Sequence, residues 1–222
     1  MQLARFNEFL QVIPNRTEKI IHCANSDATL YQPEKPYFNM VRCGKALTGP
    51  QDESLKHLLP FTLRTAMSVH STLDLVKLLN ATEKIGYSGT YTTKEPEWIG
   101  TVPIGYADGW HQNFKGTGVL VEGNRLPIVG RISMDQLMIG LDQPYPVGTR
   151  VTFIGQQGND TITVDDVAQY ANLPMLEVSC SFTNRVPRIY KQSGSITNGA
   201  NIFFEPLNLL GTVLCLYFIR QW

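Results

Sequence analysis

Surplus charge of either sign is the clearest thing this sequence lacks. Its 222 residues carry 19 Lys+Arg and 19 Asp+Glu, a formal net charge of zero. A balanced chain offers no field to nucleic acid or to an anionic membrane surface, so neither is expected as a partner. Cysteine is sparse too: Cys23, Cys43, Cys180 and Cys215 are scattered, with no Cys-x-x-Cys pair and no His-x-x-x-His nearby. That spacing argues against a zinc site and against a disulfide framework. The four thiols read as small buried hydrophobes in a reducing cytosol, and no metal is expected. The opening residues, Met-Gln-Leu-Ala-Arg-Phe-Asn-Glu, lack the apolar core of a secretory signal. No internal repeat is visible. What the chain does have is 43% hydrophobic and 17% charged residues, a balance that can bury a core. Its length suits one sizeable domain or two small ones.

Three textures follow one another. In residues 1–63, Leu3, Phe6, Phe9, Leu10 and Ile13 fall at helical spacing and stop at Pro14. The apolar run Lys19-Ile20-Ile21-His22-Cys23-Ala24 then ends in Asn25-Ser26, residues suited to a turn or a helix cap. A second run, Asn39-Met40-Val41-Arg42, ends in Cys43-Gly44. Strand, polar turn, helix and strand make βα texture and imply a parallel sheet, although a whole eight-fold barrel needs roughly 200 residues or more. Residues 64–191 read as mostly β, a small barrel or sandwich. Its strand-like runs are Val69 to Leu79, Ile99 to Tyr106, Gly118 to Glu122, Leu126 to Val129, Ile132 to Leu141 and Val151 to Ile154. One helix, Val164 to Tyr170, is announced by Thr163 and the acidic pair Asp165-Asp166. Residues 192–222 differ again: Gln192-Ser193-Gly194-Ser195 is linker-like, and Ile202 to Ile219 is strongly apolar. Pro206 to Ile219 is short for a hydrocarbon core, so a membrane span is not expected, and the tail reads as a non-family, artefactual extension or as a segment packing on the domain.

Several segments, in order, resemble the alanine racemase family. They are His22-Cys23-Ala24-Asn25-Ser26, Met40-Val41-Arg42-Cys43-Gly44, Tyr87-Ser88-Gly89-Thr90-Tyr91 and Glu97-Trp98-Ile99-Gly100-Thr101. Pro103-Ile104-Gly105-Tyr106-Ala107-Asp108-Gly109-Trp110, Val129-Gly130-Arg131-Ile132-Ser133-Met134-Asp135-Gln136 and Arg185-Val186-Pro187-Arg188-Ile189-Tyr190 continue the match. Each is weak alone; Gly-Tyr-Ala-Asp-Gly followed at this distance by Gly-Arg-Ile-Ser-Met-Asp-Gln is specific. The resemblance covers residues 1 to about 191. It implies an α/β plus all-β fold: the last βα units of a TIM-type (β/α)₈ barrel in 1–63, then the family's β-rich, barrel-like C-terminal domain in 64–191.

The implied chemistry is racemisation of alanine on pyridoxal 5′-phosphate, which supplies D-alanine for peptidoglycan. A proton leaves one face of Cα and another arrives on the opposite face, so two bases are needed. In the family one is the Schiff-base lysine and the other a tyrosine, which the resemblance places at Tyr106. A phenol with a reference pKa near 10 is a poor base at neutral pH and needs a nearby cation, for which a guanidinium is suited. Arg42 matches the arginine that bonds the pyridine nitrogen. Asn25, Ser26, Gly44 and Lys45 match the turns that hold the phosphate through backbone N–H groups and hydroxyls. Met134 matches the residue whose backbone N–H meets the substrate carboxylate. Plainer readings stand beside these: a strand-end aromatic for Tyr106, a surface ion pair for Arg42, a helix cap for Asn25-Ser26 and core packing for Met134. Because the family's tyrosine and methionine reach into a neighbouring subunit, the resemblance implies a homodimer, or pairing with a complete racemase subunit, in the cytoplasm.

The chain also departs from the pattern. Lys45 stands where the family has an aliphatic residue, Thr48 where tyrosine is common, and Leu176, in Met175-Leu176-Glu177-Val178, where the family has Asn-Tyr-Glu-Val. No segment of the Lys-Ala-Asn-Ala-Tyr-Gly kind that bears the cofactor lysine occurs in the 222 residues. The expectation is therefore a racemase fragment without its Schiff-base lysine. The alternatives are a catalytically inactive β module that pairs with a full-length racemase, a serine racemase of the same family, and a membrane-attached protein using residues 202–219.

Overall fold

A computed structural model describes residues 2–32, 36–49, 53–192 and 195–198, with the backbone alone for residues 53, 191, 192 and 195–198. The apolar stretch 202–219 lies outside the described residues. The chain divides into two compact units between Ala66 and Met67.

In the first unit, α1 (Gln2–Gln11) buries Leu10. After it come residues 20–24, outside any helix or strand, and α2 (Ser26–Tyr31), whose first turn is capped by Asn25, the side chain accepting from the Ala28 N–H at 2.9 Å. α3 (Lys45–Thr48) is one short turn, closed by the Thr48 hydroxyl donating to the Lys45 carbonyl at 3.0 Å. The two runs read as neighbouring parallel strands are indeed side by side, but their pairing is reduced to a single parallel bridge, Asn25 with Arg42. The reason is Asn39. Its side-chain carbonyl accepts from the Ile21 N–H at 2.7 Å, and its amide donates to the Lys19 carbonyl at 2.9 Å, so a side chain takes the place of backbone rungs.

The second unit is antiparallel throughout. Val69–Thr72 (β1) and Leu75–Leu79 (β2) are followed by the small hairpin Lys84–Ile85 (β3) with Tyr91–Thr92 (β4), and by Glu97–Val102 (β5). Val119–Val121 (β6), Asn124–Leu126 (β7), Ile128–Val129 (β8), Leu137–Leu141 (β9), Arg150–Gln157 (β10) and Asp160–Ile162 (β11) complete the sheets. One sheet runs β1-β10-β6-β7 with β11 also on β10, and the other runs β2-β5-β9-β8. The single run expected from Val69 to Leu79 is therefore two strands in two sheets. The chain turns at Leu73, which is buried, with its N–H on the Thr149 carbonyl and its carbonyl accepting from Gly148. Likewise the expected strand Ile132 to Leu141 starts only at Leu137, because Ser133 to Gln136 form a turn closed by Ser133 N–H donating to the Gln136 carbonyl at 2.9 Å.

Between the sheets lies one large core. Trp110 sits in it fully buried, with Phe153 at 4.8 Å, Phe114 at 5.3 Å and Phe182 at 6.4 Å between ring centroids. α4 (Val164–Ala171) covers it with Val164, Val167 and Ala168, the spacing of one helical face. Thr163 and Asp166 cap α4 reciprocally, each side chain accepting from the other residue's backbone N–H, as the acidic opening predicts. α5 (Met175–Cys180), for which the sequence reading had no helix, follows. Ile189–Gln192 (β12) pairs with Ser195–Asn198 (β13), Gln192 opposite Ser195, so pairing continues past the residues read as linker. Among the described residues no helix is long and apolar enough to cross a membrane, and no group of side chains suited to a metal ion occurs.

Candidate functional site

The candidate residues fall into two sets, one in each unit. In the first unit, Ser26 is buried and its hydroxyl accepts from the Gly44 N–H at 3.1 Å and the Ala46 N–H at 3.2 Å. The end of one extended run is thereby tied to the end of the other, with the Asn25–Arg42 bridge directly below. Gly44 has φ −110° and ψ −68°, angles open to any residue, and nothing lies within 4 Å of where its Cβ would stand. Neither backbone conformation nor internal packing asks for glycine there. The Lys45 ammonium donates to Asp27 Oδ1 at 3.0 Å. Arg42 donates through its guanidinium to His22 Nδ1 at 2.6 Å. A hydroxyl whose oxygen is held by two N–H groups keeps its own hydrogen to donate; with open space and an ammonium beside it, it suits a phosphoester, and a guanidinium suits an aromatic nitrogen acceptor. The residues present thus fit the phosphate and ring of pyridoxal phosphate. Asn25 serves as the α2 cap, the plain reading of that residue.

In the second unit, Tyr106 and Met134 are brought together by backbone. Tyr106 N–H donates to the Ser133 carbonyl and Ala107 N–H to the Met134 carbonyl, both at 3.1 Å. The contact needs Gly105: a Cβ there would stand 2.3 Å from the carbonyl oxygens of Ser133 and Met134. Both side chains are partly exposed, Tyr106 46% and Met134 51%, which is not the burial that core packing of Met134 would give. A third segment locks the pair of loops. Arg185 donates from Nε to Asp108 Oδ1 at 3.0 Å and from its terminal nitrogen to Asp135. Asp108 Oδ2 in turn accepts from the Gly105 N–H at 2.8 Å, and Thr183 N–H donates to the Asp108 carbonyl at 3.1 Å. The bond to Asp135, aided by Asp108, pushes the Arg185 pKa above even the ordinary guanidinium value, so the clamp stays charged.

His22, Asp27 and Arg185 were not picked out as site residues from the sequence. A signal for Arg185 existed in the carboxylates placed two and one residues after Tyr106 and Met134, which one cation can serve together. Of the departures, Leu176 lies partly exposed on α5 and brings no hydroxyl, while the Thr48 hydroxyl is spent on α3.

Comparison with known proteins agrees with this arrangement. The family model for the alanine racemase C-terminal domain matches residues 66–190, and that for the alanine racemase N-terminal domain matches residues 1–52. Alanine racemase of Geobacillus stearothermophilus is 50% identical over 190 residues, which are 85% of this chain and 48% of that protein. The crystal structure of alanine racemase from Bacillus anthracis with bound L-Ala-P superposes with a TM-score of 0.79 at 43% identity, over 88% of this chain and 49% of that one. Alanine racemase from Bartonella henselae with covalently bound pyridoxal phosphate does so with a TM-score of 0.70 at 31% identity, over 83% and 49%. The chain spans about half the length of the relatives it matches. With residues 66–190 matched by one family model and residues 1–52 by the other, the chain belongs to the alanine racemase family.

Proposed function

We propose that this chain takes part in the racemisation of alanine with pyridoxal phosphate, in a pocket that segments outside these 222 residues complete. The observation that carries the reading is the locked pairing of Tyr106 with Met134, two exposed side chains held side by side by Gly105, Asp108 and Arg185. In this reading the Ser26 hydroxyl, oriented by the Gly44 and Ala46 N–H groups, donates to the cofactor phosphate, and Arg42, steadied by His22, faces the pyridine nitrogen as a fixed cation. Lys45 contributes its backbone N–H, and Asn25 holds the turn. The Met134 loop receives the substrate carboxylate, and the Tyr106 hydroxyl holds or takes a proton at one face of Cα. Pyridoxal phosphate, when bound, supplies the electron sink that makes that Cα proton removable. The Schiff-base lysine comes from a segment outside these residues, since no lysine here stands in such a context. Residues 1–63 act as the end of the barrel and 64–191 as the β domain, and the working unit is a dimer in the cytoplasm with Tyr106 and Met134 reaching a neighbouring subunit's pocket.

A second reading assigns the phenolic base to Tyr87. Tyr87 is 71% exposed, and its neighbour Ser88 holds a left-handed φ of 62°, strain that non-glycine residues keep where the surroundings demand it. Gly86, just before it, runs against the Arg131 backbone, 3.0 Å from where a Cβ would stand.

Mixing experiments test both. Two variants of the Geobacillus stearothermophilus enzyme are made, with phenylalanine at the tyrosine matching Tyr106 or at the one matching Tyr87. Each is mixed with this chain and assayed on L- and D-alanine, and on L-serine for the serine alternative. Partial rescue of the first variant that is lost with Tyr106→Phe in this chain supports the first reading. Rescue of the second alone, lost with Tyr87→Phe, moves the base to Tyr87. No rescue of either, with heterodimers demonstrated by native mass spectrometry, defeats the proposal.

A further inference from the structure

The Ser26 turn carries a feature that the phosphate reading leaves unused. Lys45 lies between Gly44 and Ala46, the two residues whose N–H groups meet the Ser26 hydroxyl. Its ammonium is therefore confined to the edge of that turn. It is not loose there: Asp27, the residue after Ser26, accepts from it at 3.0 Å, and the Lys45 side chain is only 17% exposed against 52% for Asp27. One ion pair thus joins the residue following each half of the turn. Beside it, the space at Gly44 is open.

An ammonium has three donors and no acceptor, so it can serve a carboxylate and a second anion together. A partly exposed carboxylate–ammonium pair contributes little net stability, so redirecting the ammonium costs little. A phosphoester, with more charge than a carboxylate and several strong acceptor oxygens, competes for it well. We propose that Lys45 is an anion-positioning residue of this turn, its ammonium held ready by Asp27 and shared with the cofactor's phosphate on binding. The inference rests on the phosphate reading above and deepens it: the side chain of Lys45, and not only its backbone, sets affinity for the phosphate group, with Asp27 as the opposing charge.

The charge arithmetic gives the two partners opposite effects. Removing Lys45 leaves a bare Asp27 carboxylate facing the incoming phosphate. Removing Asp27 leaves the ammonium wholly free for it. A pair that merely stapled the turn would respond alike to loss of either partner.

The test uses the 222-residue chain and pyridoxine 5′-phosphate, which has no aldehyde and so cannot react with an amine, with pyridoxine as the probe lacking the phosphate. Affinities are read by calorimetry at two salt concentrations. Lys45→Ile should weaken pyridoxine 5′-phosphate about tenfold, the scale of one lost charge-assisted hydrogen bond at a partly exposed site, and leave pyridoxine unchanged. It should also flatten the salt dependence. Lys45→Arg should retain most of the affinity. Asp27→Asn should tighten binding several-fold, and the double variant should lie nearer the parent than Lys45→Ile does. Circular dichroism checks that each variant is folded, with Lys45→Gln replacing Lys45→Ile if that one is not. Equal weakening by Lys45→Ile and Asp27→Asn, or no change in either, overturns the inference while leaving the phosphate reading standing. A parent chain with no preference for pyridoxine 5′-phosphate over pyridoxine overturns both.

Discussion

The two units handle their apolar side chains in opposite ways. The second seals Trp110, Phe114, Leu120, Leu137, Ile139 and Phe153 completely between two sheets and α4. The first, among its described residues, buries Leu10 and Ala24 and leaves Phe9, Val12, Ile20 and Phe61 more than half exposed. Antiparallel strands can be closed by short hairpins into a sandwich that needs nothing further, whereas parallel strands are covered by helices on both faces and by further strands at their edges. Hence a β unit of this length carries its own core, and two βα runs do not. The candidate residues inherit that difference: Tyr106 and Met134 sit on loops backed by a sealed core, while Ser26, Gly44 and Lys45 are tied to one another chiefly by their own hydrogen bonds.

The largest effect this contrast predicts is in hydrogen exchange. Amides of β5, β9 and β10 should be protected by a factor of about 10³ or more relative to those of residues 20–24, since local opening free energies range from near zero up to the global value. Equal protection in both units would remove the distinction. Next comes truncation. Phe153→Ala should cost about 3–5 kcal/mol by denaturant unfolding monitored on tryptophan fluorescence, because the fully buried ring has no room to be replaced. Phe9→Ala should change stability by no more than about 0.5 kcal/mol.

A smaller step compares two glycines. Gly105→Ala places a methyl group against two carbonyl oxygens and should cost about 1–3 kcal/mol of stability in the second unit, read as a shifted denaturant midpoint. Gly44→Ala meets nothing, so the midpoint should not move, while affinity for pyridoxine 5′-phosphate falls. A destabilised Gly44→Ala would mean that the open space belongs to folding and not to a ligand.

The smallest effect is electrostatic. The Tyr91 hydroxyl donates to Glu97 at 2.6 Å. That bond, with burial and the carboxylate charge, pushes the Tyr91 pKa up to about 12, and the same bond holds Glu97 below the usual carboxylate range. A raised phenol pKa gives stability that is complete below the ordinary phenol value and is lost as pH climbs toward about 12. A lowered carboxylate pKa gives stability present above the ordinary value and lost as pH falls through the lowered one. In Glu97→Gln, phenolate absorbance should show Tyr91 titrating closer to the ordinary value, with little change in overall stability. A Tyr91 titration that stays put would refute the pairing.

Much of this molecule was legible in short stretches. The α1 stripe, the Asn25 cap, the reciprocal cap of α4 and most strand centres follow from spacing and side-chain chemistry within a few residues. So did the membership of Tyr106, Met134, Ser26 and Arg42 in family motifs. The failures are of another kind. The run Val69 to Leu79 was read as one strand despite Asp74, and the change of sheet at Leu73 is made by Thr149 and Gly148, more than seventy residues away. The parallel ladder expected beside Ala24 gave way to the Asn39 side chain for the same reason.

Composition, periodicity and motif order were therefore enough to state a β-rich domain after βα texture, and to name the chemistry its motifs resemble. What brings Arg185 between Asp108 and Asp135, Ser26 beneath Gly44 and Ala46, and Lys45 onto Asp27 is folding. Hydrogen bonds and ion pairs act over a few ångströms of space whatever the distance along the chain, and periodicity records only which face a residue takes, not which residue will face it.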